Sequence, residues 1–199
     1  LDKRKQTGLL GELIVLEKLI SHSGESALNA WRSPHKDDDL HDFKGAKGSI
    51  EVKTSTTTPR KISISNINQM DPEESVAGNL HLIVVQLSSG DEISLPSKVE
   101  EVRKLCNAEG LGGEFANLLV KYEYSSIHEA IYGERRFCLV DESGSENILS
   151  LKVTNTTPIH TKKSLKKKYD VEISQSVKVS NLNLGQVNES VWKTLSELL

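Results

Sequence analysis

The sequence predicts an α/β (α+β) fold in which helices flank one central mixed sheet. Three observations carry this: a densely apolar opening segment, two strand patterns on either side of a glycine-framed turn, and an element order of helix, strands, helices, strands, helix. A chain of 199 residues buries roughly 70% of the surface its unfolded form exposes, so it can hold a core without a disulfide or structural zinc. With 36% apolar and 27% charged residues, the composition excludes collagen, coiled coil and disorder. The formal charge is −3, so any polyanion would have to be met by a local basic patch. No apolar stretch approaches the ~20 residues needed to span a bilayer, and Leu1 opens no secretory signal, so a cytoplasmic protein without membrane partners is expected. Cys106 and Cys138 each have apolar neighbours and read as reduced, silent thiols. The start at Leu1, with Met70 the only methionine, reads as a fragment lacking an N-terminal part.

The first element is a buried helix from an N-cap at Thr7 to His22, carrying Leu9, Leu10, Leu13, Ile14, Val15, Leu16, Leu19 and Ile20. Plotted at ~100° per residue, these positions cover most of the circumference, and Glu12 and Glu17 fall between them. A carboxylate facing a core needs a partner. Residues 27 to 33 read as a short strand around Trp31, closed by Pro34, and the acidic run Asp37, Asp38, Asp39 and Asp42 follows. Gly45-Ala46-Lys47-Gly48 is then a four-residue hairpin loop. Further strands are expected at Ile62 to Ile64 and at Leu80 to Leu87, the latter closed by Ser88-Ser89-Gly90. Ser97 with Glu100 predicts a capping box and a helix from Lys98 to Cys106, and Glu114 to Tyr122 predicts another. Residues 136 to 141 and 147 to 153 read as a hairpin around Gly144, and Val171 to Val179 as a strand. A last helix follows Asn188, with Val191, Trp192, Leu195 and Leu199 as its apolar face.

The chemistry concentrates at the first hairpin. A loop over residues 45 to 48 pairs Lys44 with Ser49, Phe43 with Ile50 and Asp42 with Glu51. Strand alternation puts Lys53 on the face of Glu51, while Phe43, Ile50 and Val52 point into a core. Two unit charges about 5 Å apart repel by roughly 3 kcal/mol at an effective dielectric of ~20, more than a favourable cross-strand pair of about 0.2 to 1 kcal/mol returns. Lys53 offsets part of this, and a divalent cation would offset more: two carboxylates beside a backbone carbonyl suit magnesium. The alternative is one protonated carboxyl, a metal-free acid/base pair.

These residues resemble the PD-(D/E)XK nuclease superfamily, the restriction-endonuclease-like fold, whose signature is an Asp opening one strand and Glu-x-Lys on the next: here Asp42, then Glu51-Val52-Lys53. Gly11-Glu12 resembles the additional helical carboxylate of many members. The longer run is similar to a bacterial group encoded beside restriction and phage-defence genes: Gly8 to Ile20, Trp31 with Pro34, His41-Asp42-Phe43, Ile50 to Thr54, and Ile62 to Met70. The superfamily's Pro before the Asp is His41 here. The resemblance covers about residues 7 to 87 and implies a nuclease-like core over 1–135, with residues 136–199 as a C-terminal β-rich extension packed on it. It implies that Asp42, Glu51, Glu12 and the Val52 carbonyl bind Mg2+, with Mn2+ as a substitute, and that Lys53 orients the attacking water or steadies the phosphorus. Gln69 resembles a glutamine that some members place near the scissile phosphate. DNA is the implied substrate, within a restriction or anti-phage system, with a homodimer or other defence subunits as partners.

Blander readings stand beside these. Asp42, Glu51 and Lys53 could be a solvated strand face with a salt bridge. Geometry alone does not separate Glu12 from Glu17, and Asp39 would replace Asp42 if the register differed. Thr54 and Ser55 form a hydroxyl-rich edge that could meet phosphates, although β-propensity explains them equally well. The lysine-rich run from Lys152 to Lys168 is either a solvated loop or a phosphate-binding segment in which Lys163 and Lys167 would contact the backbone. No Gly-x-Ser-x-Gly elbow, phosphate-binding Gly-rich loop or zinc-finger spacing is present. The rival functions are a non-cleaving DNA-binding or scaffold subunit that keeps the fold, and a metal-free glycosidase, for which aromatic sugar platforms are few.

Overall fold

The computed structural model describes residues 1–32, 40–58, 60–64, 67–139, 147–157 and 175–199. A five-stranded mixed sheet lies at its centre, and helices cover one of its faces. The sheet contains β1 (Phe43–Lys44), β2 (Ser49–Ser55) and β4 (Leu80–Gln86), with β7 (Ile148–Val153) and β9 (Gly185–Gln186) beyond, in the order β1-β2-β4-β7-β9. Only β2 and β4 run parallel, with Glu51 opposite Leu82 and Lys53 opposite Val84. The segment between them supplies the crossover and includes β3 (Lys61–Ile64), which pairs antiparallel with β8 (Gln175–Lys178).

Both faces of the sheet are buried. On one, Ile50, Val52, Ile83, Val85 and Ile148 pack against α1 (Lys3–Ser23), whose Leu13, Val15, Leu16 and Leu19 have no exposure. On the other, Leu80, Leu82, Val84 and Val153 meet Ile62 and Ile64 of β3, Met70 and Val179 in a second apolar cluster. Central strands buried on both sides explain the near-continuous apolar run of β4. Among the described residues, no helix is long and apolar enough to cross a membrane.

Several local expectations change. α1 begins at Lys3, where the Asp2 carboxylate accepts from Arg4 N and Lys5 N at 2.8 Å, so Thr7 lies within the helix and its hydroxyl donates back to Lys3 O. A carboxylate that takes two amides is the stronger cap. Residues 27 to 30, expected as strand, belong to the short helix α2 (Glu25–Ala30), which puts Ala27, Leu28 and Ala30 into the core. The strand signal survives only as an isolated bridge from Trp31 to Phe43. The capping box forms one turn early: Ser94 caps α3 (Leu95–Ala108), and Ser97 is the reciprocal N3 partner.

The strand expected at Leu80 to Leu87 is β4, but Ser88 to Gly90, expected to close it as a turn, open β5 (Ser88–Ser94), concealed by its turn-like composition. It pairs with β6 (Arg136–Cys138) across a register shift, while β7 pairs with β4, so the expected hairpin between 136–141 and 147–153 is not formed by the described residues. Gly144 and residues 171–174 lie outside them. The expected helices near 114–122 and after Asn188 are present as α4 (Gly112–Lys121) and α6 (Glu189–Ser196), with α5 (Glu129–Gly133) between them in sequence. The sheet continues past residue 135, the expected end of the core, because β7 is one of its inner strands.

Candidate functional site

The hairpin that begins the site is held at its loop by residues 198 and 199. Ala46 N and Lys47 N donate to Leu199 O and Leu198 O at 3.3 and 2.9 Å. A Cβ on Gly45 would lie 2.3 Å from Leu198 O, so this contact needs glycine. The strands pair in the expected register, Phe43 with Ile50 and Lys44 with Ser49. Asp42 then leaves the ladder. Its carbonyl accepts from Arg32 N at 2.8 Å, and its carboxylate Oδ2 accepts from Val52 N at 2.7 Å. The side chain thus satisfies an amide of β2 that β1 is too short to reach. Burial raises the Asp42 carboxyl above its ordinary range, against the pull of the Lys53 ammonium.

Glu51 has no exposed surface. By register it shares the face of Leu82, beneath the second apolar cluster, so it is not part of a solvated strand face. Its Oε1 accepts from Lys53 Nζ in an ion pair, and its Oε2 is buried with no hydrogen-bond partner among the described residues. Burial pushes the Glu51 carboxyl up to about 8, and the charge of Asp42 adds to this while Lys53 opposes it. Lys53 responds in the other direction: burial pulls its ammonium down, but Glu51 and Asp42 outweigh that and leave it above its ordinary value. Lys53 Nζ also donates to Gln69 Oε1 at 3.2 Å, which brings the expected glutamine to the site through the lysine.

Glu12 reaches the same place from α1. Its Oε2 accepts from Trp31 Nε1 at 2.9 Å and from the Tyr122 hydroxyl at 2.6 Å, and the two rings stack with centroids 4.6 Å apart. The hydroxyl also meets Arg32 O. Burial first, and the Asp42 charge next, raise Glu12 well above the carboxylate range. Glu17 is separated from it: its carboxylate pairs with Lys98 Nζ of α3 at 2.9 Å. Gly11 lets α1 approach β2 this closely, since a Cβ there would meet Thr54 Oγ1 at 1.9 Å.

Glu12, Asp42, Val52, Lys53 and Thr54 line one cleft of about 790 Å³. Ser55 does not line it: it is buried, and its hydroxyl accepts from Lys61 N at 3.3 Å, which ties the turn between β2 and β3. Lys163, Lys167 and the run Asp37 to Asp39 lie outside the described residues. His41, in place of the superfamily proline, is buried, and burial lowers its imidazole to about 4. Sequence reasoning missed Trp31 and Tyr122 as partners of Glu12 and missed the cleft cations Lys3, Arg4, Lys5 and Arg135. The signal that could have found them is the need of a core-facing carboxylate for a donor, which among largely apolar side chains an indole or a phenol supplies.

The donor set suits a hard divalent cation. Asp42, Glu51 and Glu12 carry oxygen donors of the kind such an ion takes, and among the described residues the Glu51 Oε2 is a buried acceptor without a hydrogen-bond partner. Among the described residues, however, no three His, Cys, Asp or Glu side chains form a ready-made cluster. Each of the three carboxylates is instead held through one oxygen, by Val52 N, by Lys53, or by Trp31 and Tyr122.

A mixed sheet flanked by helices, with Asp before one strand, Glu-x-Lys on the next and a helical Glu, defines a restriction-endonuclease-like core. The family model described as "Putative PD-(D/E)XK family member, (DUF4420)" matches residues 1–146, and the chain belongs to that family. The superfamily consists in general of nucleases that use divalent metals. No curated protein and no solved structure matches the chain.

Proposed function

We propose that this protein is a divalent-metal-dependent nuclease that hydrolyses DNA phosphodiester bonds, acting in a bacterial restriction or anti-phage system. The observation that carries the reading is Glu51: a carboxylate with no exposed surface, one oxygen on Lys53 and the other unpaired among the described residues. A buried acceptor without a partner costs about 1–3 kcal/mol, more if charged, and a site that tolerates this cost has a use for the oxygen. Asp42, Glu51 and the Val52 carbonyl would hold Mg2+ or Mn2+, with Glu12 completing the set. Such an ion supplies Lewis acidity toward the phosphate and toward the attacking water.

The chain's own groups do the rest. Lys53 directs a fixed positive charge at the phosphoryl oxygens as negative charge builds, which is worth most in a site shielded from water. Gln69 accepts a second hydrogen bond from that ammonium and so helps to position it. Trp31 and Tyr122 hold Glu12 in the cleft, and Thr54 offers a hydroxyl at its wall.

The test is incubation with plasmid DNA and with labelled RNA, in Mg2+, in Mn2+ or in chelator. Cleavage of DNA that needs the ion and disappears in Glu51→Ala and Lys53→Ala is expected. Cleavage that survives both substitutions overturns the assignment. The closed Glu51–Lys53 ion pair favours one second reading, a non-cleaving DNA-binding or scaffold subunit, which would bind DNA and an ion without cutting.

A further inference from the structure

We propose that Lys3, Arg4 and Arg135 form a sequence-blind track for DNA phosphates along the rim of the cleft; the inference rests on the nuclease reading for where that strand leads. The cleft that contains Glu12, Asp42 and Lys53 is also lined by Lys3, Arg4, Lys5 and Arg135. Lys5 is matched by Glu123 at 2.9 Å, and Lys53 by Glu51. The Asp2 carboxylate is taken by the amides of Arg4 and Lys5. Among the described residues, Lys3, Arg4 and Arg135 have no acidic partner, so their charge is available to a ligand.

Arg135 is already fixed in place. Its Nη1 donates to Lys3 O at 2.6 Å and to Thr7 Oγ1 at 2.9 Å, and its guanidinium lies 5.2 Å from the Phe137 ring centroid. Both hydrogen bonds use one nitrogen, which leaves the remaining guanidinium donors for phosphate oxygens. An arginine ordered before binding loses little freedom on binding. Thr56 and Ser63 line the same cleft, and their hydroxyls are the side-chain type that joins cations on a phosphate backbone. A chain of formal charge −3 thus carries its cations locally, beside the carboxylates that would meet the scissile bond. Nothing in the set reads bases, so the contacts follow the backbone alone.

The test measures binding without cleavage. The full chain is titrated in chelator against a short fluorescein-labelled DNA duplex and against an RNA duplex of the same sequence, at salt from about 50 to 200 mM. Lys3→Ala/Arg4→Ala/Arg135→Gln should weaken DNA binding and flatten the slope of log affinity against log salt by about 1 for each residue removed. Lys104→Ala, an exposed cation on α3, should leave the slope unchanged. If the triple variant fails to fold, Lys3→Ala/Arg4→Ala should flatten the slope by about 2 on the same basis. An unchanged slope, including one that accompanies a fall in affinity, overturns the proposal, as does RNA bound more tightly than DNA. The nuclease reading fails separately: DNA held through these residues but never cut by the wild type in Mg2+ supports the track and sinks the nuclease.

Discussion

Replacing Gly11 by alanine should change the stability of this protein in opposite directions depending on residue 54. In an unobstructed helix interior, Gly→Ala gains about 1 kcal/mol, which for a chain of this size raises the melting temperature by about 2–4 °C. Here the new Cβ would lie 1.9 Å from Thr54 Oγ1, 3.1 Å from its Cβ and 3.3 Å from its Cγ2. Rotation of Thr54 can turn its Cβ hydrogen toward the new methyl, but the Thr54 Cβ stays 3.1 Å away and the stiff β-branched side chain must leave its preferred rotamer, so the contact remains tight. Overpacking costs about 1–3 kcal/mol, so the net effect of Gly11→Ala is no gain or a loss of up to about 2 kcal/mol. In a Thr54→Ala background only the Cβ contact remains, and the same substitution should be neutral or stabilising. Thermal melts of the four proteins give a coupling of about 1–2 kcal/mol, within the range of residues in direct contact. The displaced helix carries Glu12, so metal-dependent cleavage should fall with Gly11→Ala as well. A wild-type background in which Gly11→Ala raises the melting temperature by the full helical increment would refute the close packing of α1 on β2, and with it the placement of Glu12.

Three further outcomes follow from the same structure. In chelator, Glu51 has a raised carboxyl, so at this site the folded form binds more protons than the unfolded form between about 4.5 and 8; the contribution of Glu51 to stability should be full below 4.5 and be lost as pH rises through 8. Melting curves across that range should show the fall, and Glu51→Gln should flatten it. Tyr122→Phe removes a hydroxyl shared by Glu12 and Arg32 O, and should lower stability by about 1–3 kcal/mol and reduce cleavage, with little change in the salt dependence of DNA binding. A fragment ending at residue 146 lacks β7 and bares the edge of β4, whose Leu82, Ile83 and Val84 are fully buried in the whole chain; light scattering should show it aggregating where residues 1–199 stay monodisperse or form a defined oligomer.

The hairpin was the most legible part of the molecule. Glycines at 45 and 48 set the loop, the loop set the register, and the register placed Phe43 and Ile50 in the core as expected. The opposite face was not legible. Glu51 and Lys53 look like residues of a solvated strand until β3 and Met70, which cover it, are located by tertiary packing. Glu12 and Glu17 have similar neighbours along the helix, and only Tyr122 and Lys98, each more than eighty residues away, tell them apart. Ser55 fits a hydroxyl-rich edge in one dimension, but strand alternation and the Lys61 amide turn it inward. The helix at Glu25–Ala30 was hidden by Trp31, whose strand propensity is spent on a single bridge. Lys3, Arg4 and Arg135 carry no local motif, and they become a group only when the start of α1 meets the residue before β6.

The backbone of Leu198 and Leu199 grips the turn that follows Asp42, which has a temporal meaning for a chain made from one end to the other. While the ribosome is still translating the middle of the message, the Asp42 hairpin has been built but its clasp has not. Those two bonds can close only once residue 199 has emerged, so the contacts at this turn are completed after the other residues of the cleft have been translated.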